Sequence, residues 1–313
     1  MFLQNGRREK EILGKIIMPK FMLCRPQGGL NDVLCQIVKC CEYAARHERV
    51  VFVDTEYEQS YSFWDSFSNY FVSRAKPLLL DGRPKLKSLA TMSVFPSYLK
   101  DRLSNYDVEY KGKFLFDTLN PEHQPITFDF RKSYDEDLLV HHQFGGGLRS
   151  KRAAKYLRVH DDIVNVLKAR LKSIDGPFDA IHVRHTDLES DYGKALELLR
   201  HQRVSKLFVA TDNPSVLAQF KQAFGSDVVI SFSKLPDRAG QTLHHHRHDV
   251  TTQRRVNTEA ILDLFTLAFA QSLTICKSTN NPHLDYSGFS LLAKALHSNT
   301  ALRDRFLAQT APT

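Results

Sequence analysis

The segment Ala180-Ile181-His182-Val183-Arg184-His185-Thr186-Asp187 runs from small and β-branched residues into two basic side chains, a threonine and an acid. An arginine at the end of a strand can meet a phosphate with two parallel hydrogen bonds. Asp187 is spaced to hold that guanidinium or to cap the next segment. The competing reading is an ion pair at a strand end with no ligand. Three more stretches carry related chemistry. Thr211-Asp212-Asn213-Pro214 reads as a helix cap with Pro in the first turn, at a point that also admits a ligand. Asp263 stands among Ile261, Leu262, Leu264, Phe265 and Leu267, so its carboxylate needs a partner, either an arginine such as Arg184 or a polar ligand edge. Asp285-Tyr286-Ser287-Gly288-Phe289-Ser290 opens an apolar helix whose free N–H groups suit a phosphate or an ordinary cap.

Two other stretches imitate sites. His244-His245-His246-Arg247-His248 has the wrong spacing for a helical metal pair and reads as a mobile polar loop. Asp135-Glu136-Asp137 matches the D-x-D pattern of metal-dependent glycosyltransferases, but it precedes Leu138-Leu139-Val140 and does not follow a clear strand. It reads as a solvated charge run. The sequence has no phosphate-loop, dinucleotide or nucleophile-elbow motif.

The elements that must position these residues form two β-α-β series. In the first, the apolar run Phe21–Cys24 leads into a turn with Gly28 and Gly29. Leu30, Val33, Leu34, Ile37, Cys41 and Ala44 then recur at helical spacing, and Val50–Asp54 is the next strand. In the second, a helical pattern over Leu157–Ile174 stops at Asp175-Gly176-Pro177. Strands follow at Phe178–Val183, Lys206–Ala210, Val228–Ile230 and Leu273–Cys276, with helices at Tyr192–His201, to Phe224, at Thr258–Ala270 and at Gly288–His297. Residues 56–155 are mixed and extend the first unit. The expected architecture is α/β, with Rossmann-like domains at 1–155 and 156–313 facing a cleft. Arg184 then falls at the carboxyl end of a strand, where such sheets bind ligands.

Bulk properties bound the function. The chain has 313 residues, 42 % of them hydrophobic and 25 % charged, enough for a substantial core. A net charge of +8 points to an anionic partner. The absence of a Lys/Arg block or an RNA-binding aromatic motif argues against nucleic acid. No apolar run is long enough to span a membrane, and the charged N-terminus lacks a secretory pattern, so a cytoplasmic protein is expected. The five cysteines are odd in number and lack C-x-x-C spacing, so they read as free buried thiols, with neither zinc nor a disulfide framework.

The ordered set of motifs resembles the α1,2-, α1,6- and protein O-fucosyltransferase superfamily. His182-Val183-Arg184-His185-Thr186-Asp187 looks like its H-x-R-R-x-D motif. Phe208–Asn213, Ile261–Leu264 and Ser287–Ala293 are similar to its later motifs, in the same order. Gly29-Leu30-Asn31-Asp32 with Tyr43-Ala44 resembles the corresponding region of the bacterial nodulation-factor branch, which also carries histidine where His185 stands. The resemblance implies a GT-B fold, GDP-fucose as donor, no metal or other cofactor, and inversion at the anomeric carbon. It implies that Arg184 binds the β-phosphate, that Asp263 meets the guanine edge, and that Asp212 and Ser287–Ser290 line the nucleotide pocket. His182, His185, Asp187, Gly28 and Gly29 join the expected binding set. Asn31 and Asp32 then face a glycan or lipid-linked glycan acceptor, with Asp32 the candidate base; peripheral association with the inner membrane face is compatible with that. The rival readings are a GT-B enzyme using another nucleotide sugar, and a non-catalytic nucleotide- or nucleic-acid-binding protein.

Overall fold

A computed structural model of the chain describes residues 19–59, 63–74, 76–79, 91–120, 124–234, 247–281 and 284–308. The first half contains β1 (Lys20–Pro26), α1 (Leu30–Arg46), β2 (Arg49–Val53), β3 (Phe71–Ser73), β4 (Leu78–Leu79), β5 (Val94–Phe95), β6 (Val108–Lys111), β7 (Phe114–Asp117) and β8 (Leu138–Gln143). The second contains β9 (Leu157–Val159), α2 (Asp161–Ile174), β10 (Asp179–Val183), α3 (Gly193–His201), β11 (Leu207–Thr211), α4 (Pro214–Phe224) and β12 (Val229–Ile230). It ends with α5 (Val250–Phe269), β13 (Ser272–Ile275), α6 (Gly288–Ser298) and α7 (Thr300–Leu307).

The first sheet has the order β4-β2-β1-β8-β5 and the second β12-β11-β10-β13, with parallel pairing throughout both. Each sheet reverses its winding beside its first strand, between β1 and β8 in one and between β10 and β13 in the other. These are the switch points where ligands enter open α/β sheets. A single apolar core joins Leu34 and Val38 of α1 to Phe265 of α5 and Leu292 of α6. The apolar stripe of α1 forms that helix, and Asp32 in its first turn complements the helix dipole.

The structure departs from the expected elements in three places. Leu157–Val159 is a strand paired antiparallel with Phe71–Ser73, and the helix begins only at Asp161, capped by the His160 side chain. Its alternating buried residues were swallowed by the longer helical period. The helix expected from Thr258 starts at Val250, where the Asp249 side chain accepts from the Thr252 N–H. Leu138–Gln143 is an interior strand of the first sheet, between β1 and β5. Beside it, Asp135 is exposed while Asp137 accepts from the Ser93 N–H and hydroxyl at 3.0 and 2.8 Å. All five cysteines are buried and free. His244–His246 of the histidine run lie outside the described residues.

Candidate active site

A cavity of about 360 Å³ opens between the carboxyl ends of the two sheets. Its first wall comes from the turn after β1 and the start of α1: Gly28, Gly29, Leu30, Asn31 and Asp32. Gly28 has φ +100°, and a Cβ there would stand 2.8 Å from Asp32 Oδ2, so this turn requires glycine. Gly146, after β8, packs so closely on Asp32 that it too has no room for a side chain. Burial raises the Asp32 pKa above the ordinary carboxylate value, while its Asn31 hydrogen bond and the charge of Arg184 pull the other way.

The opposite wall is built at the ends of β10 and β11. Arg184 is locked by two carboxylates. Its Nε and Nη2 donate to Asp187 Oδ1 at 2.9 and 2.7 Å, and Nε lies 3.0 Å from Asp212 Oδ2. Asp212 also accepts from the His185 N–H at 2.8 Å and the Thr186 hydroxyl at 2.6 Å. Asn213 takes the capping role, its side chain accepting from the Ser215 N–H with Pro214 next in line. The expected cap is therefore Asn213, which leaves Asp212 to orient the loop and the arginine.

His182 lies beneath, its Nδ1 2.7 Å from the Ser290 hydroxyl and its ring 4.7 Å from that of Phe289. Burial lowers its pKa to about 4, against the partial compensation of Asp212, so the imidazole is neutral near pH 7. The Ser290 N–H donates to Ser287 Oγ at 3.1 Å, closing the cap of α6. Ser287, Gly288 and Phe289 of that terminus face the cavity. Two helix N-termini and one fixed guanidinium thus converge on a space suited to an anion.

Asp263 and the apolar Val256 and Ala260 form the remaining side, on one face of α5. An arginine does meet Asp263, but it is not Arg184. The partners of Asp263 are Arg170, whose Nη1 donates at 3.1 Å, and Ser233, whose hydroxyl donates at 2.6 Å. Arg170 is shared with Glu259. Burial nevertheless raises the Asp263 pKa to about 7.

Of the residues singled out from sequence, twelve line the cavity together: Gly28, Gly29, Asn31, Asp32, His182, Arg184, Asp187, Asp212, Asp263, Ser287, Gly288 and Phe289. Ser290 stands behind them. His185 is not among the residues that line the cavity: its ring packs edge-on against Tyr192, with centroids 5.1 Å apart and planes at 87°. The backbone bond to Asp212 and the cap bond from Asn213 to the His185 carbonyl hold it there. Sequence reasoning missed Phe63, Gln253, Asn257, Asn281 and Leu284, which also line the cavity. Gln253, Asn257 and Ala260 share the helical face of Asp263, a spacing that could have found them. Asn257 donates to the Phe63 carbonyl at 2.8 Å and the Tyr70 hydroxyl at 2.9 Å, tying α5 to the first half. Among the described residues no group of three or more His, Cys, Asp or Glu could hold a metal ion, and no helix is long and apolar enough to cross a membrane.

Solved structures share this fold. A NodZ α-1,6-fucosyltransferase soaked with GDP-fucose aligns with a TM-score of 0.57 at 18 % identity, covering 89 % of this chain and 92 % of its own. Fucosyltransferase NodZ from Bradyrhizobium gives 0.59 at 17 %, covering 88 % and 92 %. The apo-form of POFUT1 gives 0.52 at 13 %, covering 90 % and 95 %. The chain has the GT-B fold. At these identities the likeness speaks for the fold alone. No protein-family profile and no curated protein sequence matches the chain. In GT-B terms, β1, β2, β4, β5 and β8 build the sheet on one side of the cleft, and β10 to β13 build the sheet that carries Arg184.

Proposed function

We propose that this chain is an inverting, metal-independent fucosyltransferase that moves L-fucose from GDP-fucose to a glycan or glycolipid acceptor. The observation that carries the reading is Arg184, locked by Asp187 and Asp212 at the carboxyl end of β10, opposite the N-termini of α1 and α6. In the proposed reaction an acceptor hydroxyl attacks the anomeric carbon from the face opposite GDP. The bond from that carbon to the β-phosphate oxygen breaks, and its electron pair leaves with GDP. Arg184 and the helix termini stabilise the charge that grows there, the service a metal gives elsewhere. Asp32 takes the hydroxyl proton; its raised pKa makes its carboxylate a stronger acceptor than an exposed one. The purine lies toward Asp263, Val256 and Ala260. Residues 1–155 form the acceptor side and 156–313 the donor side. The enzyme works in the cytoplasm, at the inner membrane face where the acceptor is lipid-linked.

A thermal-shift screen of nucleotide sugars tests the donor, because a ligand of the folded state raises stability by RT ln(1 + [L]/Kd). GDP-fucose and GDP should raise Tm, and GDP-fucose should be hydrolysed slowly without acceptor, in EDTA as in buffer. Stabilisation by a different nucleotide sugar alone replaces the donor. Loss of turnover in EDTA with rescue by Mn²⁺ overturns the metal-independent mechanism.

A further inference from the structure

The hairpin β6–β7 crosses the carboxyl end of β8. Gln143, the last residue of β8 and only 4 % exposed, fastens it there. The Leu115 N–H donates to Gln143 Oε1 at 2.9 Å, and Gln143 Nε2 donates to the carbonyls of Leu115 and Ile126 at 3.0 and 3.3 Å. Opposed residues of antiparallel strands share a face, here Val108 with Asp117 and Tyr110 with Leu115. On that face Leu115 and Asp117 are buried, and Val108 packs on the apolar cluster below. Tyr110 instead overhangs the edge and is 61 % exposed. Its ring meets Phe144 edge to face, with centroids 4.8 Å apart and planes at 65°.

The position of Phe144 links this pair to the cavity. Gln143 registers with Pro26 across the parallel strands, so Phe144 emerges level with Gln27, at the edge that continues into Gly28 and Asp32. Gly145, Gly146 and Gly147 run on directly from Phe144. Gly146 packs against Asp32, and the Gly147 carbonyl accepts from Asn31 Nδ2 at 3.2 Å. Two Cα–Cα steps of about 3.8 Å put Phe144 within roughly 8 Å of the backbone that touches Asp32. The glycines between raise no side chain across that path.

We infer that Tyr110 and Phe144 form a stacking shelf for a pyranose unit of the acceptor glycan. This deepens the fucosyltransferase reading and rests on it for the identity of the acceptor. The electron-rich face of an aromatic ring attracts the polarised C–H bonds along one face of a sugar, while the hydroxyls at the sugar's rim stay hydrated. A lipid tail suits this place less well. Exposed Phe114 and Leu119 lie nearby, but the strand that carries Tyr110 also bears the Glu109–Lys111 ion pair on its opposite face, and glycine backbone follows Phe144. Continuity with the cavity wall at Asp32 sets the direction: a glycan lying on the shelf extends one terminal hydroxyl toward that carboxylate.

The test puts a reporter on the shelf. Tyr110→Trp adds an indole to a chain whose sequence holds one tryptophan, so parent emission can be subtracted. The variant is titrated with cellotetraose, chitotetraose and maltotetraose, and separately with phosphatidylglycerol vesicles. The expected result is a saturable blue shift with at least one tetrasaccharide and none with vesicles. Adding Phe144→Leu, which keeps bulk but removes the aromatic face, should weaken that binding roughly 3- to 10-fold. In turnover with the bound sugar, Tyr110→Ala should raise KM by a similar factor while kcat holds. No shift with any sugar, a shift with vesicles alone, or binding indifferent to Phe144→Leu overturns the shelf. GDP-fucose hydrolysis by the parent separates the two ideas. Hydrolysis with a silent shelf fails the inference alone, and a responding shelf with no donor binding fails the fucosyltransferase reading alone.

Discussion

Arg25 and Arg184 occupy matching places in the two sheets. Cys24 registers with Val53, and Arg25 and Asp54 follow; Val183 registers with Thr211, and Arg184 and Asp212 follow. In both pairs the arginine Nε meets the aspartate carboxylate, at 2.9 Å for Arg25 and 3.0 Å for Arg184. What covers them differs. Arg25 is 0 % exposed, with its guanidinium 3.7 Å over the Tyr57 ring and 5.2 Å from that of Tyr106. The Arg184 side chain is 21 % exposed and faces the cavity. The same two-residue device is sealed by aromatic rings in one sheet and open to a ligand in the other. Pairing alone therefore does not make a site; access does.

The comparison breaks first at Arg25. Arg25→Ala leaves Asp54 without its buried cation and should cost about 3–5 kcal/mol in urea unfolding, while GDP affinity of the folded fraction holds. Unchanged stability would erase the distinction between the two arginines. Arg184→Ala should do the reverse. We expect kcat with GDP-fucose to fall roughly 10²- to 10³-fold at nearly constant Tm, and Arg184→Lys to recover little, because an ammonium lacks the planar fork. A lysine variant of near-parent rate would mean that diffuse charge suffices. Asp212→Asn keeps its size but loses the charge that meets the Arg184 Nε. Its expected effect is smaller, about tenfold in kcat with the acceptor KM unmoved.

Asp263 sharpens the picture through pH. Its folded pKa of about 7 lies above the unfolded value, so the folded state holds a proton that the unfolded chain has already released. Stability should therefore decline as pH rises from about 4 toward 7, by at most about 1.4 kcal/mol per pH unit from this group. In Asp263→Asn that part of the slope should vanish from Tm measured across the range. If ionised Asp263 meets the guanine N–H groups, GDP affinity should rise through the same pH window in the parent and stay flat in the variant.

Both β-α-β series and most of the cavity wall were legible in the sequence because apolar runs ending in polar residues report strand ends directly. Arg184 after β10 and Asp212 after β11 both follow that rule. Strand β8 was hidden because His141 and His142 make it look polar. In the fold both are fully buried, with His141 Nε2 2.9 Å from Gln36 Oε1 and His142 Nε2 2.8 Å from Gln27 Nε2. Burial drives both pKa values well down, which keeps them neutral and tolerable there. The Asp263 partner was hidden for another reason. Arg170 lies 93 positions away on α2, where a lone arginine among Lys168 and Lys172 looks like part of a solvated face. The packing of the His185 ring on Tyr192 was not legible because a motif gives residue order along the chain, not the direction in which each side chain leaves the loop.

Gly288, at the first turn of α6, stands so close to α1 that a Cβ there would lie 2.5 Å from Asn31 Nδ2. Asn31 in turn accepts from the Ser150 hydroxyl at 2.6 Å and cannot simply swing aside. The two positions, 257 residues apart in the chain (288 − 31), therefore share one volume. Among relatives they should vary as a pair: a side chain at 288 should occur only with a residue shorter than asparagine at 31. That coupled choice would let an alignment recognise this cleft even where the arginine motif has drifted.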